Sequence, residues 1–261
     1  MKNQIYVSAL LCILIGSLVS CSGGDPTAET HVMQIKSCSV RENNILSDNF
    51  SSPIGLYILT EDNKPYANES YKNSASLAHG KWVINTPVYI TGKGLVYSYF
   101  PYALSDNTPE ISVDMNQQVD VLYSKSPAII NVGTSALSLE LSHALSQIVV
   151  SVENEEVESL SLSSPATASL NICTGIFSNS VTGKVSSLSK ELLIVPHLCK
   201  ESLVIRLKNG NEYTYAISNA NFSPGERYTY DFKLNANREK LEINSVTVEE
   251  WVSGGNHSGY L

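Results

Sequence analysis

A succession of short apolar segments restricts the fold of this chain more than any other feature of its sequence. The segments are rich in β-branched and aromatic residues, and Gly, Asn, Ser, Asp or Pro lies between them. No long segment repeats its apolar residues about every 3.6 positions, as an amphipathic helix would. The sequence therefore predicts an all-β protein built from antiparallel sandwiches. The predicted strands are Ile54–Leu59, Trp82–Ile90, Leu95–Phe100, Val119–Tyr123, Leu137–Val152, Val157–Leu162, Ala168–Ile172, Leu192–Val195, Leu203–Leu207, Glu212–Ile217, Arg227–Leu234 and Leu241–Val248.

The segment Leu137–Val152 changes face part of the way along. Its apolar positions alternate on one face as far as Leu145 and on the opposite face from Ile148 onwards. Such a change within one run predicts a bulge or a sharp bend near Ser146. His143 falls on the apolar face, and we interpret it as a core histidine that is hydrogen-bonded to the backbone rather than as a ligand or a base.

The first 21 residues predict export. Lys2 precedes an apolar run, Ile5–Val19, which is short and ends in small residues, as in a secretory signal rather than a membrane-spanning helix. Cys21 follows Leu-Val-Ser directly and resembles the acylated cysteine of the bacterial lipoprotein lipobox. We expect a signal peptide over residues 1–20, lipid attachment at Cys21 and a flexible tether over residues 21–30.

The charge of the chain excludes some partners. Its 17 basic and 25 acidic residues give a net charge of −8, whereas nucleic acid needs clustered Lys and Arg. There is also no polybasic patch for anionic lipid and no second apolar stretch long enough to span a bilayer. We therefore expect a body held at a membrane surface by its amino-terminal lipid.

Two domains are expected. Turn-forming residues flank a short apolar stretch between Lys125 and Thr134. A boundary there gives an N-terminal β-sandwich domain over residues 31–130 and a C-terminal one over residues 131–261, each close to the usual domain size.

The cysteines of the body are few. After Cys21, only Cys38, Cys173 and Cys199 remain. In an oxidising compartment Cys173 and Cys199 could form a disulfide, or all three could stay as buried thiols.

Signatures of catalysis and metal binding are missing. The sequence has no G-x-S-x-G elbow, phosphate loop, dinucleotide fingerprint or H-E-x-x-H, and its five histidines are scattered. We expect no catalytic residue, no metal and no cofactor. A run of carboxylates is interpreted as a solvated hairpin end, with calcium binding as the alternative. Its members are Glu153, Glu155, Glu156 and Glu158.

Tyrosines recur in pairs two residues apart, which places both rings on one face of a strand. Such faces could hold a sugar ring, or the rings could pack across strands in a core. The pairs are Tyr97/Tyr99, Tyr213/Tyr215 and Tyr228/Tyr230.

Several local patterns, taken in order, resemble the fimbrillin superfamily, which comprises subunits of the type V pili of Gram-negative anaerobes. They cover most of the chain after Cys21, although no single pattern is specific. In the third, Gln147 replaces a lysine that is usual in the family. The patterns are Phe50–Leu59, Asp120–Tyr123, Leu141–Ile148, Leu192–Pro196, Gly225–Tyr230 and Val246–Trp251.

The resemblance implies two transthyretin-like β-sandwich domains in tandem and a surface lipoprotein that matures by proteolysis. An arginine-specific surface protease would cut between Arg41 and Glu42, and the first strand, near His31–Val40, would leave. A strand from another pilus subunit would then fill the groove by strand addition. Arg41 is the only arginine before Arg206, although Val40 stands where family members more often have threonine.

The donor strand and the role in the pilus stay open. The glycine-rich end of the chain lacks alternating apolar anchors, so the donor could instead be Leu241–Trp251. The apolar positions there change face after Ile243, which predicts two short strands. Shaft, tip and anchor roles are all compatible with the sequence. The alternative function is a surface lipoprotein that binds glycans through its tyrosine faces, and a hydrolase ranks third.

Overall fold

The computed structural model describes residues 31–42, 45–47, 50–66, 72–102, 108–134, 136–217 and 219–252. These residues form β-strands and one short 3-10 helix, Met115–Gln117, with no α-helix among them, so the predicted all-β class is confirmed. No helix in the described ranges is long and apolar enough to cross a membrane. The strands are β1 His31–Val32, β2 Gln34–Glu42, β3 Ile45–Ser47, β4 Ile54–Thr60, β5 Lys72–Ala78, β6 Lys81–Ile84, β7 Tyr89–Ile90, β8 Gly94–Phe100, β9 Glu110–Asp114, β10 Leu122–Tyr123, β11 Ala128–Ile130, β12 Ala136–His143, β13 Ser146–Val152, β14 Val157–Asn171, β15 Ile176–Ser187, β16 Glu191–Ile194, β17 Leu198–Cys199, β18 Ser202–Leu207, β19 Glu212–Ala216, β20 Ala220–Asn221, β21 Glu226–Leu234 and β22 Leu241–Glu250.

One large sheet encloses the first core. Its order is β3-β2-β12-β10-β8-β4-β5-β6, with β11 paired to β8. Strand β6 packs against β2, so the sheet curls round on itself. Strand β4 is buried on both faces, because Ile54, Leu56 and Ile58 face this core while Tyr57 and Leu59 face the second core.

Two further sheets form a sandwich around the second core. Their orders are β16-β13-β21-β22 and β15-β14-β18-β19, and β9 pairs with β14. Apolar side chains at alternate positions of β13, β14, β18 and β21 meet between the sheets, as expected for a sandwich.

The chain passes from the first sheet to the sandwich through Ala144 and Leu145. Strand β12 ends at His143 in the large sheet, and β13 begins at Ser146 in the sandwich. The bend predicted near Ser146 is therefore confirmed. Two pairings, β2 with β12 and β13 with β21, are parallel, and the other sheet pairings are antiparallel. The alternation of side chains does not reveal strand direction, so these parallel pairs were not expected.

The strand pairing crosses the predicted domain boundary twice. Strand β9, at residues 110–114, joins the sandwich by pairing with β14, while β12, at residues 136–143, joins the large sheet. The division into residues 31–130 and 131–261 stays a prediction. The segment Trp82–Ile90 is not one strand but two, β6 and β7, and the break between them contains Pro87, which cannot donate to a ladder.

Gly55 gives a test of the packing between the two cores. It lies opposite Tyr99, whose ring is fully buried, and a Cβ at position 55 would fall 2.0 Å from the ring. Gly55→Ala should therefore lower the free energy of unfolding by about 1–3 kcal/mol, the usual cost of overpacking. Denaturant titration measures the loss. Gly92→Ala is the matched control, because a Cβ there meets nothing within 4 Å; equal stability of the two variants would contradict the packing account.

Candidate functional site

The inward face of the leading strand forms one wall of the first core. Met33, Ile35, Cys38 and Val40 are all buried there, whereas Lys36 on the outer side is exposed. The leading segment is two strands rather than one, because β1 pairs with β7 and the chain re-pairs with β12 from Gln34 onwards. A segment with four core side chains cannot leave without opening the core.

Strand β2 is held by one continuous ladder. It pairs in parallel with β12 over Gln34–Val40, whereas β3 covers only Val40–Glu42 on the other side. Along Gln34–Ser39 that other side has no strand partner among the described residues. The ladder with β12 contains a bulge, because Ile35 lies opposite Leu137 and Ser37 lies opposite Ser138, so Lys36 is the extra residue.

Arg41 lies at the end of β2, and its side chain is 39% exposed. Its Nε donates a hydrogen bond to Glu140 on β12, and this bond together with the negative charge of Glu140 raises the pKa of the guanidinium. The Arg41–Glu42 peptide lies in the ladder with β3, where Arg41 pairs with Leu46 and Glu42 with Ile45. The side chain is accessible, and the peptide bond needs local opening of the short β3 ladder. Cleavage at this bond stays a prediction.

A cleft of about 270 Å³ opens beside Arg41. Its lining includes Lys125, His143 and the end of the last strand at Glu250 and Trp251. The end of β2 and the end of β22 therefore meet at one place on the molecule.

His143 is buried beside this cleft and contacts two residues that are distant in sequence. Its Nδ1 lies 2.8 Å from an oxygen of Asp120, and its ring stacks on Trp251 with the centroids 3.9 Å apart. The interpretation of His143 as a core residue is confirmed, and its Nδ1 partner is the carboxylate of Asp120. Trp251 in turn donates its backbone N–H to Gly225 at 2.8 Å, which anchors the end of β22.

Strand β22 forms an edge of the sandwich and keeps both of its faces largely exposed. Ile243 lies opposite Phe232 and Ser245 lies opposite Asp231, so Asn244 is an extra, bulged residue. The extra residue returns the apolar side chains after Ile243 to the face that carries those before it. The strand is therefore continuous, and the predicted break into two strands is wrong. The result of the bulge is an apolar stripe on the face that carries Phe232; the stripe comprises Leu241, Ile243, Val246 and Val248. The last three are 40%, 47% and 54% exposed.

The tyrosine pairs lie in or against the second core rather than on open sheet faces. Tyr99, Tyr213, Tyr228 and Tyr230 are buried, and burial raises the pKa of Tyr230 to about 12. The hydroxyl of Tyr228 accepts a hydrogen bond from the backbone N–H of Ser223 at 2.8 Å. These rings cannot stack on a sugar without unfolding, which counts against the glycan alternative.

The three cysteines are free thiols, and the disulfide that the sequence left open between Cys173 and Cys199 is not formed. Cys173 lies in the turn after β14. Cys199 is buried in β17, and this strand pairs with β20 rather than with the segment that carries Cys173. Burial raises the pKa of Cys38 to about 12, so this thiol is un-ionised and shielded in the folded chain.

The carboxylate run is held by basic side chains. Glu155 pairs with Arg238, Glu156 with Lys208 at 2.5 Å and Glu158 with Arg206 at 2.7 Å. The described residues contain no cluster of three or more His, Cys, Asp or Glu side chains suited to a metal ion. These ion pairs are those expected of a solvated hairpin end.

Solved structures share this architecture. A protein of Bacteroides uniformis provisionally assigned to cell adhesion has 14% sequence identity and a TM-score of 0.66, covering 85% of this chain and 99% of that one. A Bacteroides ovatus protein with the same assignment has 14% identity and a TM-score of 0.62, covering 86% and 99%. A fimbrial protein of Bacteroides vulgatus has 13% identity and a TM-score of 0.53, covering 85% and 99%. At these identities the likeness concerns the fold.

The profile of the Fimbrillin-like family matches residues 45–251. The chain therefore belongs to the Fimbrillin-like family, and the resemblance seen in the sequence is confirmed. Among curated proteins, none matches the chain.

Proposed function

We propose that this chain is a subunit of a cell-surface pilus that assembles by donor-strand exchange and supports adhesion. The observation that carries the proposal is the position of β2. This strand and Met33 before it supply four core side chains, β12 is its only hydrogen-bonded strand partner along Gln34–Ser39 among the described residues, and a half-exposed arginine lies near its end. Membership of the Fimbrillin-like family and the fold shared with fimbrial and cell-adhesion proteins support the same function. Catalysis is not part of the proposal.

The proposed sequence of events starts at Arg41. A surface protease specific for arginine cuts the Arg41–Glu42 bond, and the segment before Glu42 leaves. Removing four buried apolar side chains from the first core costs about 6–12 kcal/mol at roughly 1.5–3 kcal/mol each. The open groove must be refilled, because an apolar cleft beside an unpaired strand aggregates. A strand of a neighbouring subunit restores both the ladder with β12 and the core contacts.

Strand β22 is the proposed donor. It is an edge strand, and three members of its apolar stripe are 40–54% exposed in the uncleaved chain. Burying them in a groove is therefore favourable relative to leaving them half in water. To act as donor, β22 gives up its ladder with β21 and the stacking of Trp251 on His143, and the ladder and core contacts in the neighbour's groove replace them.

Delivery to the surface is the part of the proposal that lies outside the described residues. The signal peptide at residues 1–20, the lipid on Cys21 and the tether at residues 21–30 would hold the uncleaved chain at the outer membrane. Cleavage at Arg41 would then free the subunit from its lipid and open its groove in one step, so that the groove opens where partners are present.

Limited proteolysis tests the proposal. The purified chain is treated with an arginine-specific protease and then examined by amino-terminal sequencing and light scattering. We expect a new amino terminus at Glu42 and ladders of oligomers that resist mild detergent. A chain that is cut at this bond yet stays monomeric would overturn the proposal, and binding of oligosaccharide by that monomer would favour the glycan alternative.

A further inference from the structure

We infer that matching bulges in β2 and β22 set one register in which β22 of one copy enters the groove of another. The inference rests on the proposed function and specifies its partner, a second copy of this chain. Lys36 in β2 and Asn244 in β22 are the two bulged residues. Lys36 occupies one position in the groove before exchange, and Asn244 of the incoming strand would occupy the same position afterwards.

The apolar residues of the two strands have the same spacing. In β2 and the residue before it, the inward side chains are Met33, Ile35, Cys38 and Val40. In β22, the stripe is Leu241, Ile243, Val246 and Val248. Both sets have intervals of two, three and two residues. A regular strand alternates faces at every residue, so an interval of three keeps one face only where a bulge adds a residue.

The side chains also match in size, position by position. Leu241 would replace Met33, and Val246 would replace Cys38, which is only slightly smaller. At the other two positions Ile243 would replace Ile35 and Val248 would replace Val40, so the residue type is unchanged. Swaps that conserve apolar volume are the ones that a packed core tolerates best.

The position of the bulge also gives the direction of the incoming strand. The bulged residue follows the second apolar anchor directly in both strands, at Lys36 after Ile35 and at Asn244 after Ile243. In the reverse direction the apolar spacing would be the same, but the bulge would fall one residue away. The match therefore predicts that β22 enters parallel to β12, in the direction that β2 takes.

One position does not match. Glu249 would stand where Arg41 pairs with Glu140 in the uncleaved chain. The side chains of Glu140 and Glu249 are 40% and 60% exposed, so salt screens their repulsion. Assembly in this register should therefore be stronger at about 0.5 M salt than at about 0.05 M salt, because the Debye length is shorter at the higher concentration.

Synthetic peptides test the register without altering the fold of the subunit. The full chain is cleaved at low concentration in the presence of a peptide of residues 240–251, and native mass spectrometry measures peptide bound to the cleaved chain. A second peptide lacks Asn244, and a third carries Asn244→Ser as a control of unchanged length. Deletion turns Val246 and Val248 away from the groove, so we expect binding at least about a hundredfold weaker. The Asn244→Ser peptide should bind as the native peptide does.

The outcomes separate the inference from the proposed function. Equal binding of the native and deletion peptides would overturn the register, while leaving exchange intact. Oligomers that form without binding any of the peptides would overturn β22 as the donor, and with it the register. Cleaved chain that neither binds peptide nor forms oligomers would overturn the proposed function itself.

Discussion

Arg41→Lys is expected to abolish the assembly that follows cleavage by an arginine-specific protease, while leaving the fold unchanged. Lysine keeps the positive charge beside Glu140, so the contact between β2 and β12 is retained. The protease no longer recognises the bond, and the first strand stays in place. Under conditions that convert the native chain fully to oligomers, the variant should keep residues before Glu42 and elute as a monomer in size-exclusion chromatography.

Arg206→Lys is the matched control for this prediction. Arg206 is also exposed and ion-paired, with Glu158, but it lies in β18 of the sandwich, far from the first strand in sequence. This variant should assemble like the native chain. Assembly of the Arg41→Lys variant, or loss of assembly in the Arg206→Lys variant, would show that the decisive cut is elsewhere.

Val246→Asp is expected to remove assembly after cleavage by acting on the donor strand. In the monomer Val246 is 47% exposed, so a carboxylate there remains in water and costs little. In a neighbour's groove the same carboxylate would be buried without a partner, which costs several kcal/mol and corresponds to a loss of more than about a thousandfold in affinity. Light scattering of the cleaved variant measures the loss, and thermal unfolding of the uncleaved variant checks that the monomer is intact.

Asn244→Asp adds the same charge at the bulge, where the side chain is exposed in the monomer. The position it would take in the groove is that of Lys36, which is also exposed. This control should therefore assemble nearly as well as the native chain. If the two aspartate variants assembled equally well, β22 would not enter an apolar groove.

Alternation of side chains predicted the strands well where each strand keeps one face. Ile54–Leu59, Leu95–Phe100 and Leu203–Leu207 each match an observed strand to within a residue at either end. The signal failed at bulges, because an extra residue shifts the apolar positions without ending the ladder. The sequence of Leu241–Val248 therefore predicts two short strands, although the ladder with β21 continues on both sides of the bulged Asn244.

Contacts between distant segments could not be predicted from the sequence in this way. The carboxylate of Asp120 and the ring of Trp251 meet His143 only because β12 runs past β10 and the end of β22 returns to the same cleft. The parallel pairing of β2 with β12 joins residues about a hundred positions apart and depends on the whole sheet. Arg41 and the leading strand were identified through the family resemblance, and local patterning alone would have left Arg41 as an ordinary surface residue.

Alkylation of Cys38 tests most directly whether the first strand leaves. This thiol is buried and un-ionised in the uncleaved chain, and it precedes the predicted cut, so it reports on the strand itself. Iodoacetamide is added to native protein before and after arginine-specific cleavage, and mass spectrometry locates the label. The account predicts no label on Cys38 before cleavage, full label on the released segment afterwards, and continued protection of the buried Cys199. A cut Arg41–Glu42 bond with Cys38 still protected would show that the strand stays in its core, which would contradict the account.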